Sequence, residues 1–306
     1  MILSKIEELN KEFSFSEEGS ELHFVNGKSD IPLVEIKNAQ ANASISLQGA
    51  HVLNWKPHSE DEVIWLSNDA KFEKGKSIRG GIPICWPWFG AHDSNNAFPA
   101  HGFARTVLWQ IIKTQNISPD ETQITIRLST NQLDKSIHEM WPYDTVVEYR
   151  ITVSNTLKLE LITYNDSDKD ITVGQALHTY FNIGNISNTT VYGLENLTYL
   201  DKPDNFCSKL QKGAITINNE VDRVYLDSID EVTIDNKQRK IIIKKKGSHT
   251  TIVWNPWREV AKKMGDLGEY GFKEMLCVES ANAADDLVTI KSGSRYTLEV
   301  IYEIER

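Results

Sequence analysis

Apolar and polar residues alternate with a period of two in several long segments, which is the spacing of β-strands with one buried and one exposed face. In the clearest case, Ile124, Ile126 and Leu128 alternate with polar residues. Three other segments show the same pattern: residues 147–153, 157–161 and 296–304. A further strand is predicted from residue 45 to residue 55, and Asn26-Gly27 predicts a hairpin turn. The chain is therefore predicted to consist mainly of antiparallel strands.

Helical spacing is confined to two short segments. Apolar residues at near-helical intervals predict an amphipathic helix at about residues 2–13. The best internal candidate runs from Pro256 to Met264, with the proline in the first turn, where helices tolerate it. No linker-like segment, internal repeat or alternation of strand and helix divides the chain. We therefore predict a single all-β sandwich domain over residues 1–306.

The charge of the chain limits its partners. Its 306 residues have a formal net charge of −10, which argues against nucleic acid or an anionic membrane as a partner. Binding of an anion would need a local cationic pocket. Cys85, Cys207 and Cys277 lack metal-binding spacing and are expected to be reduced thiols, while Glu7 and Glu8 interrupt the region where a signal peptide would be apolar. These features predict a cytoplasmic protein.

Residues 77–105 combine prolines and glycines with large apolar side chains. The prolines and glycines exclude a regular helix or central strand, and the apolar side chains are expected to pack against the core. Arg79, His101 and Arg105 lie in this segment. Each arginine could pair with a structural carboxylate, but two arginines around one aromatic loop favour an anion site. His101 is either a substrate contact or a loop histidine bonded to the backbone.

His178 and Glu279 are the candidate acid/base pair. Both lie in apolar segments, where an imidazole or a carboxylate needs a partner or a function. The structural alternatives are a hydrogen-bonded core histidine and a buried ion pair. Neither a serine or cysteine nucleophile motif nor metal-type spacing accompanies them, so proton transfer without a cofactor is predicted.

Three weaker candidates were also considered. Asp222 precedes Arg223 near a predicted strand, so a local ion pair is the alternative to a binding role. Gln48 and His51 lie in the segment Leu47-Gln-Gly-Ala-His-Val, and each is a weak signal alone.

Six blocks of the sequence, taken together and in order, resemble the hexose-6-phosphate mutarotases. This family is also called the glucose-6-phosphate 1-epimerases and is a branch of the aldose 1-epimerase superfamily. The resemblance covers about residues 43–303 and rests on these blocks: Arg79-Gly-Gly-Ile-Pro-Ile-Cys-Trp-Pro-Trp-Phe-Gly90, His101-Gly-Phe-Ala-Arg105, Leu177-His-Thr-Tyr-Phe181, Asp222-Arg-Val-Tyr225, Val253-Trp-Asn-Pro-Trp257 and Cys277-Val-Glu279.

The resemblance implies an antiparallel β-supersandwich and assigns roles to particular residues. His178 would protonate the ring oxygen, and Glu279 would take the proton from the anomeric hydroxyl. The ring would open, rotate about the C1–C2 bond and close on the other face, without a metal or another cofactor. Further positions match substrate-binding residues: His101 and Asp222 for the sugar, Arg79 and Arg105 for the 6-phosphate, and Gln48.

Some parts of the sequence remain open to other interpretations. The insert Asp93-Ser-Asn-Asn96 and the N-terminal helix have no counterpart in the resemblance. One alternative function is mutarotation of unphosphorylated aldoses, which would have no use for two arginines. The other is a non-catalytic sandwich that binds carbohydrate on its tryptophans, which would need no acid/base pair. We expect a monomer that binds a small sugar phosphate, with neither nucleic acid nor a membrane as partner.

Overall fold

The computed structural model describes residues 2–17 and 19–306, and the side chains of residues 5–17 and 19–306. These residues form four short α-helices: α1 (Ile2–Phe13), α2 (Lys135–Met140), α3 (Trp257–Met264) and α4 (Gly271–Glu274). None of these helices is long and apolar enough to cross a lipid bilayer.

Strands make up most of the regular structure. In chain order they are β1 (Phe15–Glu17), β2 (Ser20–Asn26), β3 (Pro32–Lys37), β4 (Ala41–Ser46), β5 (His51–Pro57), β6 (Ile84–Cys85), β7 (Gln110–Ser118), β8 (Glu121–Ser129), β9 (Thr145–Val153), β10 (Leu157–Asn165), β11 (Ile171–Val173), β12 (Gln175–Leu177), β13 (Tyr180–Asn182), β14 (Thr190–Tyr192), β15 (Thr198–Asp201), β16 (Cys207–Leu210), β17 (Ile215–Thr216), β18 (Val221–Tyr225), β19 (Val232–Asp235), β20 (Lys240–Lys246), β21 (Thr250–Asn255), β22 (Met275–Asn282), β23 (Val288–Ile290) and β24 (Arg295–Glu305).

The strands form three large antiparallel sheets and one small one. A five-stranded sheet contains β1 to β5 in chain order, and a nine-stranded sheet has the order β17-β14-β19-β20-β24-β10-β9-β8-β7. The third has eight strands in the order β16-β15-β18-β21-β22-β12-β6, with β13 also paired to β22, and β11 pairs with β23. The prediction of an all-β antiparallel sandwich with few helices is confirmed.

The nine-stranded and eight-stranded sheets pack against each other through apolar side chains. Phe181 of β13 contacts Tyr302 of β24, with ring centroids 5.0 Å apart, and both are fully buried. Val253 and Val278 belong to the same buried cluster. One face of β21 and β22 is thus fixed in the core, because side chains on a strand alternate between its two faces. The opposite face of these strands is available for a site.

Three local predictions needed correction. Residues 45–55 form two strands, β4 and β5, because the chain turns between Ser46 and His51. Gly49 allows this turn: it has φ 77°, and a Cβ there would lie 2.7 Å from the carbonyl oxygen of Arg105. The hairpin predicted at Asn26-Gly27 is present and joins β2 to β3, but its connection is longer than a two-residue turn and spans residues 27–31. Helix α3 begins at Trp257, with Pro256 as its N-cap.

The segment 77–105 is packed down, as its apolar composition predicts. Ile82, Ile84, Trp86 and Phe103 are at most 1% exposed. Its two-residue strand β6 pairs with β12 at the edge of the eight-stranded sheet, and the remainder runs as turns and loops. Anchoring of these apolar residues holds the rest of the segment across the end of that sheet.

Candidate active site

A break in the strand pairing brings His178 beside Glu279. Strand β22 pairs with both β12 and β13 along one edge, where Leu177 faces Ser280 and Tyr180 faces Cys277. His178 lies in the gap between these short strands, and its backbone N–H donates to the carbonyl of Pro83 instead of to β22. Its Nε2 lies 3.3 Å from Oε1 of Glu279. As whole residues, His178 is 9% exposed and Glu279 is 1% exposed.

The face of the eight-stranded sheet that points away from the core forms the floor of the site. Residues directly opposite each other on antiparallel strands project on the same face. In this register Glu279 faces Ile252, Cys277 faces Trp254, and Trp254 faces Asp222. The side chains of Cys277 and Glu279 on β22 and of Asp222 on β18 therefore project from the same face of the sheet.

A cavity of about 250 Å³ lies above this floor. The segment 77–105 supplies Arg79, His101 and Arg105 to its wall, and the turn after β15 supplies Lys202. The residues lining the cavity are Ser77, Ile78, Arg79, Pro83, Phe89, His101, Arg105, His178, Tyr180, Lys202, Asp222, Ile252, Trp254, Met264 and Glu279. Six of the seven site residues predicted from the sequence thus meet in one cavity.

The two arginines differ in their surroundings. Arg79 donates from Nε to Asp266 (3.0 Å) and from Nη1 to the hydroxyl of Tyr180 (2.9 Å). Burial lowers the pKa of Arg79, but Tyr180 and Asp266 outweigh this effect and raise it. Arg105 donates from Nη2 to the carbonyl of Ala100, and among the described side chains no carboxylate forms an ion pair with it. Arg105 therefore carries the less compensated charge.

Burial shifts the two members of the pair in opposite directions. It raises the pKa of Glu279, and the nearby charge of Asp222 raises it further. It lowers the pKa of His178, with additional lowering from His101, Arg105 and Arg79. Both shifts disfavour the ionised forms, so the pair holds a single proton over a wide pH range.

His101 stands between the cations of the wall. Burial, followed by the charges of Arg105, Lys202 and Arg79, lowers its pKa to about 3. The backbone N–H of Gly90 donates to its Nδ1 at 3.3 Å, which leaves Nε2 as the protonated nitrogen of a neutral ring. Its ring contacts His178 edge to face, with centroids 5.8 Å apart. The imidazole is therefore a neutral hydrogen-bonding group beside the pair.

Gln48 lies outside the cavity. Its amide nitrogen donates to the carbonyls of Glu73 and Lys76, and its amide oxygen accepts from the backbone of Gly75. The Gln48 side chain thus makes hydrogen bonds that hold the turn before Arg79, and this geometry does not support a contact between Gln48 and the substrate. His51 is also fully buried, with Nε2 bonded to the carbonyl of Gly80 at 2.8 Å.

Two residues of the cavity, Lys202 and Tyr180, and one buried residue beside it that does not line it, Cys277, were not predicted from the sequence. Lys202 places Nζ 2.7 Å from Asp222, and no pattern in the sequence indicates this. Tyr180 stacks on His178, with centroids 5.0 Å apart and planes inclined by 14°. Cys277 lies two residues before Glu279, on the same face of β22. The i, i+2 spacing of Tyr180 from His178 and of Cys277 from Glu279 is the signal that would have suggested the last two.

Comparison with known proteins agrees with the fold. The aldose 1-epimerase family model matches residues 32–303. A protein of Escherichia coli (strain K12) named "Putative glucose-6-phosphate 1-epimerase" is 37% identical over 280 residues, which cover 90% of this chain and 92% of that protein. A protein of the same name from Salmonella typhimurium (strain LT2) is 36% identical over 257 residues, covering 83% of this chain and 84% of the relative.

A solved structure extends the similarity over nearly the whole chain. The crystal structure of a protein from Salmonella typhimurium described as a "putative mutarotase" superimposes with a TM-score of 0.85. It is 29% identical in sequence, and the match covers 99% of both chains. The two chains therefore share one fold.

Proposed function

Because this chain belongs to the aldose 1-epimerase family, we propose that it interconverts the α and β anomers of a hexose 6-phosphate, with D-glucose 6-phosphate as the first candidate. The observation that carries the proposal is the presence, in one cavity, of a buried His178–Glu279 pair and the uncompensated cation Arg105. The names of the curated relatives support the same substrate class.

The pair supplies the two proton transfers that anomer exchange needs. Opening the ring removes a proton from O1 and delivers one to O5, and closing it reverses both steps. A single proton shared by His178 and Glu279 serves this purpose, since one residue donates while the other accepts. In the assignment we propose, His178 is the acid and Glu279 the base for opening. No net proton is consumed, so the pair is restored after each turnover.

The phosphate has a second effect besides binding. The charges of Arg105 and Arg79 are two of the causes that lower the pKa of His178. A phosphate dianion beside these arginines would offset them, so the pKa of His178 would rise when substrate binds. The shared proton would then move toward the imidazole, where the acid role requires it. The phosphate would thus set the protonation state of the pair as well as the position of the sugar.

Other wall residues would hold the sugar ring. Asp222 presents a carboxylate and Lys202 an ammonium group 2.7 Å from it, which together match the donor and acceptor pattern of neighbouring hydroxyls. His101 adds a neutral ring beside His178. These groups explain how a small cavity can orient O1 and O5 toward the pair without a metal.

One observation favours the alternative that the substrate is an unphosphorylated aldose. Arg79 already has a carboxylate partner in Asp266, so only Arg105 offers an unpaired charge. The binding-module alternative has less support: Trp86 is fully buried and cannot serve as a platform, and Trp254 shares the cavity with the acid/base pair.

A coupled anomer-exchange assay tests the proposal. The freshly dissolved α anomers of glucose 6-phosphate, galactose 6-phosphate and glucose would be followed to equilibrium, with the uncatalysed rate subtracted. The proposal expects a much higher kcat/KM for a hexose 6-phosphate than for glucose. Equal values for both sugars would favour the neutral-aldose alternative, and the absence of any acceleration would favour the binding module.

A further inference from the structure

We propose that His178 and Glu279 of this cavity, together with the adjacent buried Cys277, form an inhibitory site for a thiophilic divalent metal ion such as Zn²⁺. Among the described side chains, these three offer a nitrogen, a sulfur and an oxygen that all lie within 4.8 Å of one another. Imidazole, thiolate and carboxylate are the ligands that zinc prefers in proteins. The metal site itself does not depend on the proposed function. Only its inhibitory effect does, because the metal would occupy the acid/base pair.

The ligand spacing suits a tetrahedral ion. Two nitrogen or oxygen ligands at ordinary zinc distances are about 3.3–3.5 Å apart when the angle between them is tetrahedral. Nε2 of His178 and Oε1 of Glu279 are 3.3 Å apart. A sulfur ligand would lie about 3.6 Å from each of them. The three ligand atoms already lie within 4.8 Å of one another, so this geometry requires only a small adjustment of the Cys277 side chain.

The site also has unused ligand capacity. Oε2 of Glu279 is buried and has no hydrogen-bond partner among the described residues, and the same is true of Nδ1 of His178. Glu279 is 1% exposed, so its second oxygen is shielded from bulk solvent. A carboxylate with a free oxygen can adjust its position around an ion while keeping its other oxygen in place. Cys277 is free of any disulfide and completes the set.

The nearby positive charges are largely compensated. Arg79 pairs with Asp266 at 3.0 Å, and Lys202 pairs with Asp222 at 2.7 Å. The remaining cation of the wall, Arg105, opposes binding of a metal ion. The ligands themselves contribute two negative charges when the Cys277 thiol and the Glu279 carboxyl have both lost their protons to solvent. The local charge balance therefore permits a divalent ion in spite of the cationic wall.

Binding would be a proton exchange without redox chemistry. The metal ion displaces two protons, that of the Cys277 thiol and the one held by the His178–Glu279 pair; both are released to solvent, and bonds form to sulfur, Nε2 and the carboxylate. The metal then occupies the lone pairs of Nε2 and of the carboxylate, which the pair needs to exchange protons with O1 and O5 of the sugar. Metal and sugar would consequently compete, and inhibition should be relieved by a chelator.

Spectroscopy with Co²⁺ tests the site without relying on activity. Cobalt bound by a thiolate in tetrahedral geometry gives intense visible bands and a near-ultraviolet charge-transfer band. The wild-type protein, kept reduced, should show both, and Cys277→Ser should lose the charge-transfer band. Cys85→Ala is the matched control, since Cys85 is also fully buried and borders the site but is outside the ligand set. It should keep the wild-type spectrum.

Inhibition by Zn²⁺ is the second measurement. Cys277→Ala and Cys277→Ser should retain anomer exchange and require at least about tenfold more Zn²⁺ for half inhibition, since loss of a ligand weakens the site. The exposed Cys207→Ala variant should behave like wild type. A missing thiolate band in the wild-type protein, or equal zinc sensitivity of the Cys277 variants and wild type, would overturn the proposal. A thiolate–cobalt band in a protein that exchanges no anomers would keep the metal site and remove the proposed function.

Discussion

The imidazole of His178 and the carboxylate of Glu279 are held 3.3 Å apart by an interruption in strand pairing rather than by a shared element. Strands β12 and β13 both pair with β22, and the two residues between them turn away from the ladder. On this side of β22, Glu279 therefore has no strand partner among the described residues. A histidine at this point reaches the carboxylate from the side, with both groups removed from water.

The first prediction concerns the pair itself. His178→Ala and Glu279→Gln should each lower kcat at least about 10²-fold, because neither proton transfer can proceed without its partner. The double variant should lose much less than the product of the two single losses, since the residues act as a unit. Single-turnover and steady-state rates of anomer exchange, corrected for the uncatalysed reaction, provide the measurement.

A surface pair offers a matched control for this experiment. His23 and Glu35 lie 3.1 Å apart, with side chains that are about half exposed. His23→Ala should leave the rate of exchange unchanged, because this pair has the same residue types as His178 and Glu279 but lies on the surface, outside the cavity. Near-normal turnover in a folded His178 or Glu279 variant would contradict the role assigned to that residue.

The second prediction concerns Tyr180, which joins Arg79 to His178. Its hydroxyl accepts from Nη1 of Arg79, while its ring stacks on the imidazole. Tyr180→Phe keeps the ring and removes the hydrogen bond to the charged guanidinium, which is worth about 1.5–3 kcal/mol. Because Arg79 is held by Asp266 as well as by Tyr180 and acts as a positioning group, we expect kcat/KM to fall about 10-fold or more for glucose 6-phosphate and for glucose alike, in the same exchange assay.

Tyr149→Phe is the control for that substitution. Tyr149 is fully buried, and its hydroxyl has no partner among the described residues, so its removal breaks no hydrogen bond. The variant should retain wild-type kinetics. If Tyr180→Phe also retained them, the tyrosine would be a packing residue without influence on the arginine.

The third prediction concerns stability at acidic pH. Burial lowers the pKa of His51 from its ordinary value of 6.5 to about 4, so the unfolded chain binds this proton more readily than the folded one. The stabilisation is complete above pH 6.5 and is lost as the pH falls from 6.5 toward 4. Between pH 8 and pH 5 the free energy of unfolding should therefore decrease by about 2 kcal/mol through this group.

Urea unfolding of wild type and His51→Gln at both pH values measures this contribution. The variant should be less stable at pH 8 but should lose less stability on acidification than wild type. Equal pH dependence in His51→Gln and wild type would show that another group is responsible.

The sequence revealed most of the fold because strand burial has a period of two, and the segment that contains Ile124 and Leu128 is a strand in the structure. His178 and Glu279 were also recognisable, since each lies in an apolar segment where a polar group is unusual. The Arg79–Asp266 pair and the approach of Lys202 to Asp222 were not recognisable. These contacts join distant parts of the chain, and only the register of the sheets and the course of the loops bring them together.

We expect the proposed phosphate preference to depend above all on Arg105, and a comparison with Arg79 would separate binding from positioning. Arg79 contacts both Asp266 and Tyr180, so Arg79→Ala is expected to impair phosphorylated and neutral sugars alike. Arg105 has no carboxylate partner among the described side chains, so Arg105→Ala removes the charge offered to substrate and one hydrogen bond, to the carbonyl of Ala100. Arg127→Ala, which alters an arginine paired with Glu148 away from the cavity, is the control.

The ratio of kcat/KM for glucose 6-phosphate to kcat/KM for glucose, measured in wild type and in Arg105→Ala, is the most direct test of the proposed function. A charged hydrogen bond of about 1.5–3 kcal/mol corresponds to a change of about 10- to 100-fold. We predict that the ratio falls by this amount, because activity on the phosphorylated sugar decreases much more than activity on glucose, and that lysine restores only part of it. An unchanged ratio in Arg105→Ala would contradict phosphate recognition and identify the protein as a mutarotase of neutral aldoses.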